Sequence, residues 1–229
     1  MPDACAFAPA LFRFLRDLRK NNDRDWFTAH KDVYERDVKE PALAFISAFA
    51  PALRRISPHL VADARPVGGS MFRLHRDVRF SNDKRPYKTH VGIQFRHAKA
   101  EGAHAPGFYL HLEPGDVFAG AGIWQPDGAV LSEVRDAIAE SPAAWRRAVG
   151  ARDFTVRWAL SGESLVRVPR GYDPDHPLAA DLKRKSYIAV TGFSEREACA
   201  ADFAERLANA WRASAPLMRF LTRALDLSW

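Results

Sequence analysis

The stretch RLHRDVRFSNDKRPYK, residues 73–88, gathers more chemically active side chains than any other part of the chain. Arg73, Arg76, Arg79, Lys84, Arg85 and Lys88 stand within it, with His75, Asp77 and Asp83 between them. Cations at this density suit the capture of phosphate or carboxylate, and arginine is the residue for bidentate recognition of either. Across residues 70–99 arginine outnumbers lysine five to three, and the acids are Asp77 and Asp83. That window alone carries a net charge of +6, equal to the +6 of the whole chain, so everything else sums to zero. An anionic partner is therefore expected at one place, not over the general surface. Arginine neighbours would keep Asp77 and Asp83 ionised, so both suit orienting arginines better than donating protons.

A second constellation is Tyr109, His111 and Glu113, alternate residues that a strand would place on one face. H-x-E followed by proline resembles part of the zinc deaminase signature, but that chemistry needs a following P-C-x-x-C, which is missing here. His75, His111 and Glu113 would hold a metal only if their strands were neighbours; a hydrogen-bonded polar face is the commoner use of such residues. No metal and no cofactor is expected. Ser81 and Lys84 match S-x-x-K, yet that motif opens a helix and needs partner motifs absent here. Gly120-Ala121-Gly122 has Gln125 where a dinucleotide loop would have its third glycine, and it reads as strand. Glycine at alternate strand positions is expected to admit another backbone or an aromatic ring. Lys183, Arg184 and Lys185 form a smaller basic cluster, which would add cations from a second side if the sheet brought it near the first.

The elements that must position these residues are an α+β arrangement in one domain spanning 1–229, with a largely antiparallel sheet flanked by N-terminal and C-terminal helices. Residues 1–60 read as helical, 68–125 as the main β region, 129–150 as helical, 154–192 as mixed strand and loop, and 195–229 as helical. Leu11, Phe12, Phe14, Leu15 and Leu18 recur at helical spacing, with Asn21-Asn22 as the stop. Asp23 offers an N-cap for a second helix with Trp26, Phe27, His30, Tyr34 and Val38 on one side. A third helix after Pro41 carries Pro51, which predicts a kink or break. SMFRLHRDVRF alternates as a strand, VGIQF is β-rich, and GFYLHLEPGDVFAGAGIW reads as two strands turning at residues 113–116. Short β-like runs follow at TVRW, LVRV and SYIAV. On the first of these strands Phe72, Leu74, Val78 and Phe80 face the core, and Arg76 falls on the same side. A buried guanidinium needs a partner, so either a bulge turns Arg76 outward or a carboxylate meets it.

Four segments together carry a resemblance. F-R-x-x-R-D-x-R-F-S-x-D-K-x-P-Y-K, from Phe72 to Lys88, resembles the central signature of a widespread bacterial family, domain of unknown function family 2461. NNDRDWF, followed by Lys31 and Tyr34, resembles its opening motif; PGFYLHLEPGDVFAGAGIWQP resembles its third and LKRKSYIA its last. The loop around residues 98–105 departs from the pattern. The resemblance supports the α+β fold and points to the same residues, but supplies no activity, substrate or catalytic group, because the family has none established.

Bulk composition sets the remaining bounds. At 229 residues, with 47% hydrophobic and 27% charged side chains, the chain can bury a sizeable core. No segment approaches eighteen apolar residues, and the N-terminus lacks a signal-peptide pattern. Cys5 and Cys199 make neither a zinc set nor a disulfide framework, so a reduced cytoplasmic protein without membrane contact is expected. Three functional readings follow, none of which fixes an oligomeric state. The first is a pocket for a small phosphorylated or carboxylated ligand, bound by Arg73, Arg76, Arg79, Lys84, Lys88, Tyr109 and Lys185. Its enzymatic variant would use His75, Asp77 or His111 for proton transfer. The second is a nucleic-acid groove in which Phe80, Tyr87 or Trp124 stack on bases. The third is an interaction protein with a structural basic strand. Aspartates among the cations and a neutral remainder favour the pocket.

Overall fold

A computed structural model describes residues 6–99 and 105–229, so Cys5 and most of the loop at 98–105 lie outside the described residues. The N-terminal third is helical: α1 (Pro9–Lys20), α2 (Arg24–Ala29), α3 (Lys31–Tyr34), a π-helical segment (Glu35–Lys39) and α4 (Glu40–Ile56). Strands β1 (Leu60–Val61), β2 (Val91–His97), β3 (Gly107–Glu113) and β4 (Asp116–Ile123) follow. Then come α5 (Gly128–Glu140), α6 (Pro142–Gly150), α7 (Arg152–Thr155), β5 (Ala159–Ser161), α8 (Ala179–Leu182) and β6 (Tyr187–Phe193). The chain closes with α9 (Glu195–Ala198), α10 (Phe203–Ala213) and α11 (Ala215–Ala224). The strands form one sheet in the order β1-β2-β3-β4-β6-β5, and every pairing is antiparallel. The fold is thus a single-domain α+β arrangement. Among the described residues no helix is long and apolar enough to cross a membrane.

The local signals act where the sequence places them. The five apolar residues of α1 are all buried, and Asn21 ends the helix. The Asp23 carboxylate accepts the Trp26 backbone N–H at 2.8 Å, capping α2. Glu113 pairs with Asp116 across the β3–β4 turn, where Gly115 takes φ 84°. One face of the sheet is the core face. It carries Ile93 and Phe95 on β2, Phe108 and Leu110 on β3, and Ala119 and Ala121 on β4, all buried. Phe49 of α4 stacks on Phe95, and Trp211 of α10 stacks on Phe108, which docks the two helices there. By register, the other face carries Gly92 and Gln94, then Tyr109, His111 and Glu113, then Phe118 and Gly120. A Cβ on Gly122 would stand 2.0 Å from the Tyr187 carbonyl, so Gly122 permits the close backbone approach expected there, whereas a Cβ on Gly120 would make only ordinary contact with Tyr109.

Five expectations are corrected. Pro51 does not break α4, which runs through it. Both Pro51 and Ser47, whose carbonyl loses its i+4 donor, are exposed, so the lost bond is on the solvent side of the helix. TVRW is not a strand but the end of α7 and a turn, and LVRV is not a strand either, the isolated bridge there falling at Ser164, the residue before it. The second helix is divided into α2, α3 and the π-helical segment.

The largest correction is SMFRLHRDVRF, which is not a strand. Residues 70–72 add to the free edge of β2: the Phe72 N–H bonds the Gly92 carbonyl, and the Gln94 N–H bonds that of Ser70. Beyond Leu74 the chain leaves β2 and closes on itself. The Lys88 N–H reaches the Leu74 carbonyl and the Arg76 N–H that of Pro86, both at 2.8 Å. The pairing partner changes in mid-segment, so side-chain alternation no longer maps onto one core. Leu74 is buried, whereas Phe80, expected inward, is 96% exposed at the tip of this irregular hairpin.

Candidate functional site

The cations of the hairpin divide into engaged and free. Arg79 bonds Asp77 through Nε and Nη2, and the Arg79 backbone N–H bonds the same carboxylate. Arg85 repeats this on Asp83, and Arg65 on Asp63, so three D-x-R units fold into the same local turn. The half-buried Arg76 donates to Asp83 at 2.6 Å, so of the two alternatives left for it, a bulge or a carboxylate, the carboxylate is the one present. The Asp83 carboxyl is held well below the usual aspartate value, chiefly by Arg85 and then by Arg76. Lys84 donates to the Val78 carbonyl at 3.1 Å. Among the described residues Arg73 and Lys88 have no carboxylate partner. Lys88 is half-buried, and burial and then the Arg73 charge push its pKa down. Its ammonium lies 5.3 Å from the Phe72 ring centre, and the Arg96 guanidinium lies 6.0 Å from the same ring.

These pairings make two hairpin arginines unequal. Arg76→Ala strips a half-buried partner from Asp83 and should lower the melting temperature measurably, whereas Arg79→Ala removes an exposed pair and should leave it unchanged. Because the Asp83 pKa is depressed on folding, its contribution is fully present above about pH 4 and is lost as pH falls through the folded value. Melting curves of both variants between pH 7 and pH 3 check this. Equal curves would contradict the pairing.

The hairpin returns to the second face of the sheet beside Tyr109. Phe72 meets the Tyr109 ring at 6.1 Å, and Gly92 leaves that approach open. The Tyr109 hydroxyl is 3.0 Å from His111 Nδ1, and His111 Nε2 is 3.2 Å from Glu113 Oε2. Glu113 Oε1 accepts from Thr89 at 2.6 Å and from Arg19 at 2.8 Å. His90, one residue before β2, sets its ring 4.3 Å from that of His111. Burial, aided by His111 and Lys88, pushes the His90 pKa down to about 4 against the pull of Glu113. Burial likewise raises Tyr109 to about 12. Burial works to raise Glu113 too, but hydrogen bonds from Thr89 and His111 outweigh it, and its pKa lies below the usual glutamate value.

The sequence-derived site residues therefore separate. Tyr109 and His111 lie side by side on the second face, Phe72 neighbours both the Tyr109 ring and the Lys88 ammonium, and the Arg73 charge is felt at Lys88. Asp77 and Arg79 stand at the hairpin tip. His75 bridges to Tyr87 and meets the Tyr87 and Phe27 rings, away from the polar row of β3. Lys185 pairs with Glu163 at the start of β6, three strands and about 14 Å across the sheet from β2. The two basic clusters thus do not converge. Buried Arg135 instead grips the second cluster by its backbone, donating to the Leu182 and Arg184 carbonyls at 2.8 and 2.9 Å. His90 was missed because THV at a strand start carries no periodic signal. Its position opposite Glu113 follows only from the β2–β3 register.

The opening and central motifs hold each other. The Asn22 side chain donates to the Tyr87 carbonyl and accepts the Tyr87 N–H, each at 3.0 Å, while Phe27 stacks on the Tyr87 ring at 4.3 Å. The α1–α2 corner thereby fixes the limb that carries Lys88. Two concavities lie along α1, one of about 290 Å³ lined by Arg13, Asp17, Trp26 and His30, the other of about 520 Å³ between Phe12 and Cys199; neither contains a residue of the polar face.

Fold and site define a class: a single-domain α+β protein whose antiparallel sheet is backed by helices on one face and bears a tyrosine–histidine–glutamate row on the other. The family model described as conserved hypothetical protein DUF2461 matches residues 10–220, and the chain belongs to that family. No curated protein matches the chain.

Proposed function

We propose that the protein binds a small anionic ligand, phosphorylated or carboxylated, at the edge of the second sheet face. Arg73 and Lys88 supply the charge, with Tyr109 and His111 beside them. The observation that carries the reading is the state of Lys88: a half-buried ammonium, depressed in pKa by burial and by Arg73, with no carboxylate partner among the described residues. A desolvated cation beside a second one is costly unless an anion offsets it. Arg76, Arg79 and Lys84 have internal acceptors and would have to leave them to hold a ligand. Internal neutralisation also shortens any basic stripe that nucleic acid could follow, although Phe80 and Trp124 remain exposed.

Calorimetric titration with inorganic phosphate, succinate and a short single-stranded oligonucleotide, each at two salt concentrations, tests the reading. Saturable 1:1 binding of a small anion is expected. Binding of the oligonucleotide alone, falling steeply with salt, would replace this function with the nucleic-acid reading. Binding of none of the three would leave the interaction protein.

A further inference from the structure

We propose that His90, His111 and Glu113 form a binding site for one divalent first-row transition-metal ion. Each offers one ligand atom, and these atoms all lie within 4.8 Å of one another. Donors around a tetrahedral zinc ion, at 2.0–2.1 Å from the metal, stand about 3.3 Å apart. The pair His111 Nε2 and Glu113 Oε2, at 3.2 Å, already has that spacing. The register explains the cluster. Val91 pairs with Leu112 and Gly92 with His111, so the position before β2 falls opposite Glu113. Gly92 puts no side chain opposite His111, and the His90 ring meets the His111 ring instead.

The surrounding groups orient these ligands as outer partners do in metal sites. Thr89 and Arg19 both donate to Glu113 Oε1, leaving Oε2 turned to His111. The Tyr109 oxygen stands at His111 Nδ1. An ion that takes the Nε2 lone pair leaves the imidazole proton on Nδ1, where that oxygen accepts it. Two imidazoles with one carboxylate select zinc and its neighbours over magnesium or calcium, which prefer all-oxygen sets. Three protein ligands leave a fourth position open to water or an anion. The inference goes beyond the anion reading and is tested with no anion ligand present.

The test uses tag-free, metal-stripped protein titrated with Zn²⁺ by calorimetry in a non-coordinating buffer, and with Co²⁺ by visible spectroscopy. One equivalent should bind saturably, and Co²⁺ should develop d–d bands. Glu113→Gln, which keeps the side-chain shape, and His90→Ala should each weaken binding at least about tenfold. His59→Ala, at the separate stacked pair of His59 and His97, should leave it unchanged. The inference is overturned if wild type binds no Zn²⁺ saturably, if neither site variant weakens binding, or if His59→Ala abolishes it. Should His90→Ala melt at room temperature, Glu113→Gln and the wild-type Co²⁺ spectrum decide. Anion titrations repeated in chelator separate the two proposals: anion binding without metal binding sinks only this one.

Discussion

Trp211→Ala is expected to lower the free energy of unfolding by about 4–5 kcal/mol, a large share of the total stability of a typical domain. The indole is fully buried, with its ring stacked on Phe108 at 4.8 Å. Phe49 and Phe95 meet it edge-on at 5.3 and 5.5 Å, and its Nε1 donates to the Gly120 carbonyl at 3.2 Å. One side chain therefore joins α10 to α4, β2, β3 and β4. The cavity it leaves would open under the strands that carry Tyr109 and His111 on their other side. Trp211→Phe keeps an aromatic ring and loses the indole hydrogen bond, so it should cost only about 1–2 kcal/mol. Chemical denaturation measures both. A loss below about 1.5 kcal/mol for the alanine variant would contradict this account of the core.

The second large effect is on binding. Arg73→Met combined with Lys88→Met should reduce affinity for inorganic phosphate or succinate at least about 100-fold, since each charge-assisted hydrogen bond contributes about 1.5–3 kcal/mol. The ligand-free double variant should be no less stable than wild type. Neither residue gives up a carboxylate partner among the described residues, and the variant removes a half-buried charge with its repulsive neighbour. Loss of affinity together with retained stability marks a binding role, which a purely structural role for the two cations does not produce. Unchanged affinity by calorimetry would remove them from the site.

Local features of the fold were legible and long-range ones were not. The α1 periodicity, the Asp23 cap and the 113–116 turn depend on residues a few positions apart, and all are found where sequence places them. The H-x-E row was legible for the same reason, as a strand sets its face by alternation. The stretch 73–88 defeated that rule because its backbone partner changes from β2 to its own return limb, which no alternation pattern encodes. Its charge was legible, but its neutralisation was not. D-V-R and D-K-R read as strand or turn until the Asp carboxylates are seen folding back on the arginine two residues on. Arg76 shows how far such reasoning reaches: a bulge or a carboxylate partner were the two alternatives left open, and the hairpin supplies the second as Asp83. His90 entered the site only through cross-strand register, and Lys185 left it for the same reason.

The most direct test is a map of where small anions bind. Backbone and histidine NMR resonances would be followed during titration with inorganic phosphate and with succinate. The account predicts saturable shifts at Lys88, His90, Gly92, Tyr109 and His111, with Arg79 and Lys185 unmoved. Shifts confined to residues 79–85 at the hairpin tip, or to 183–185, would contradict it.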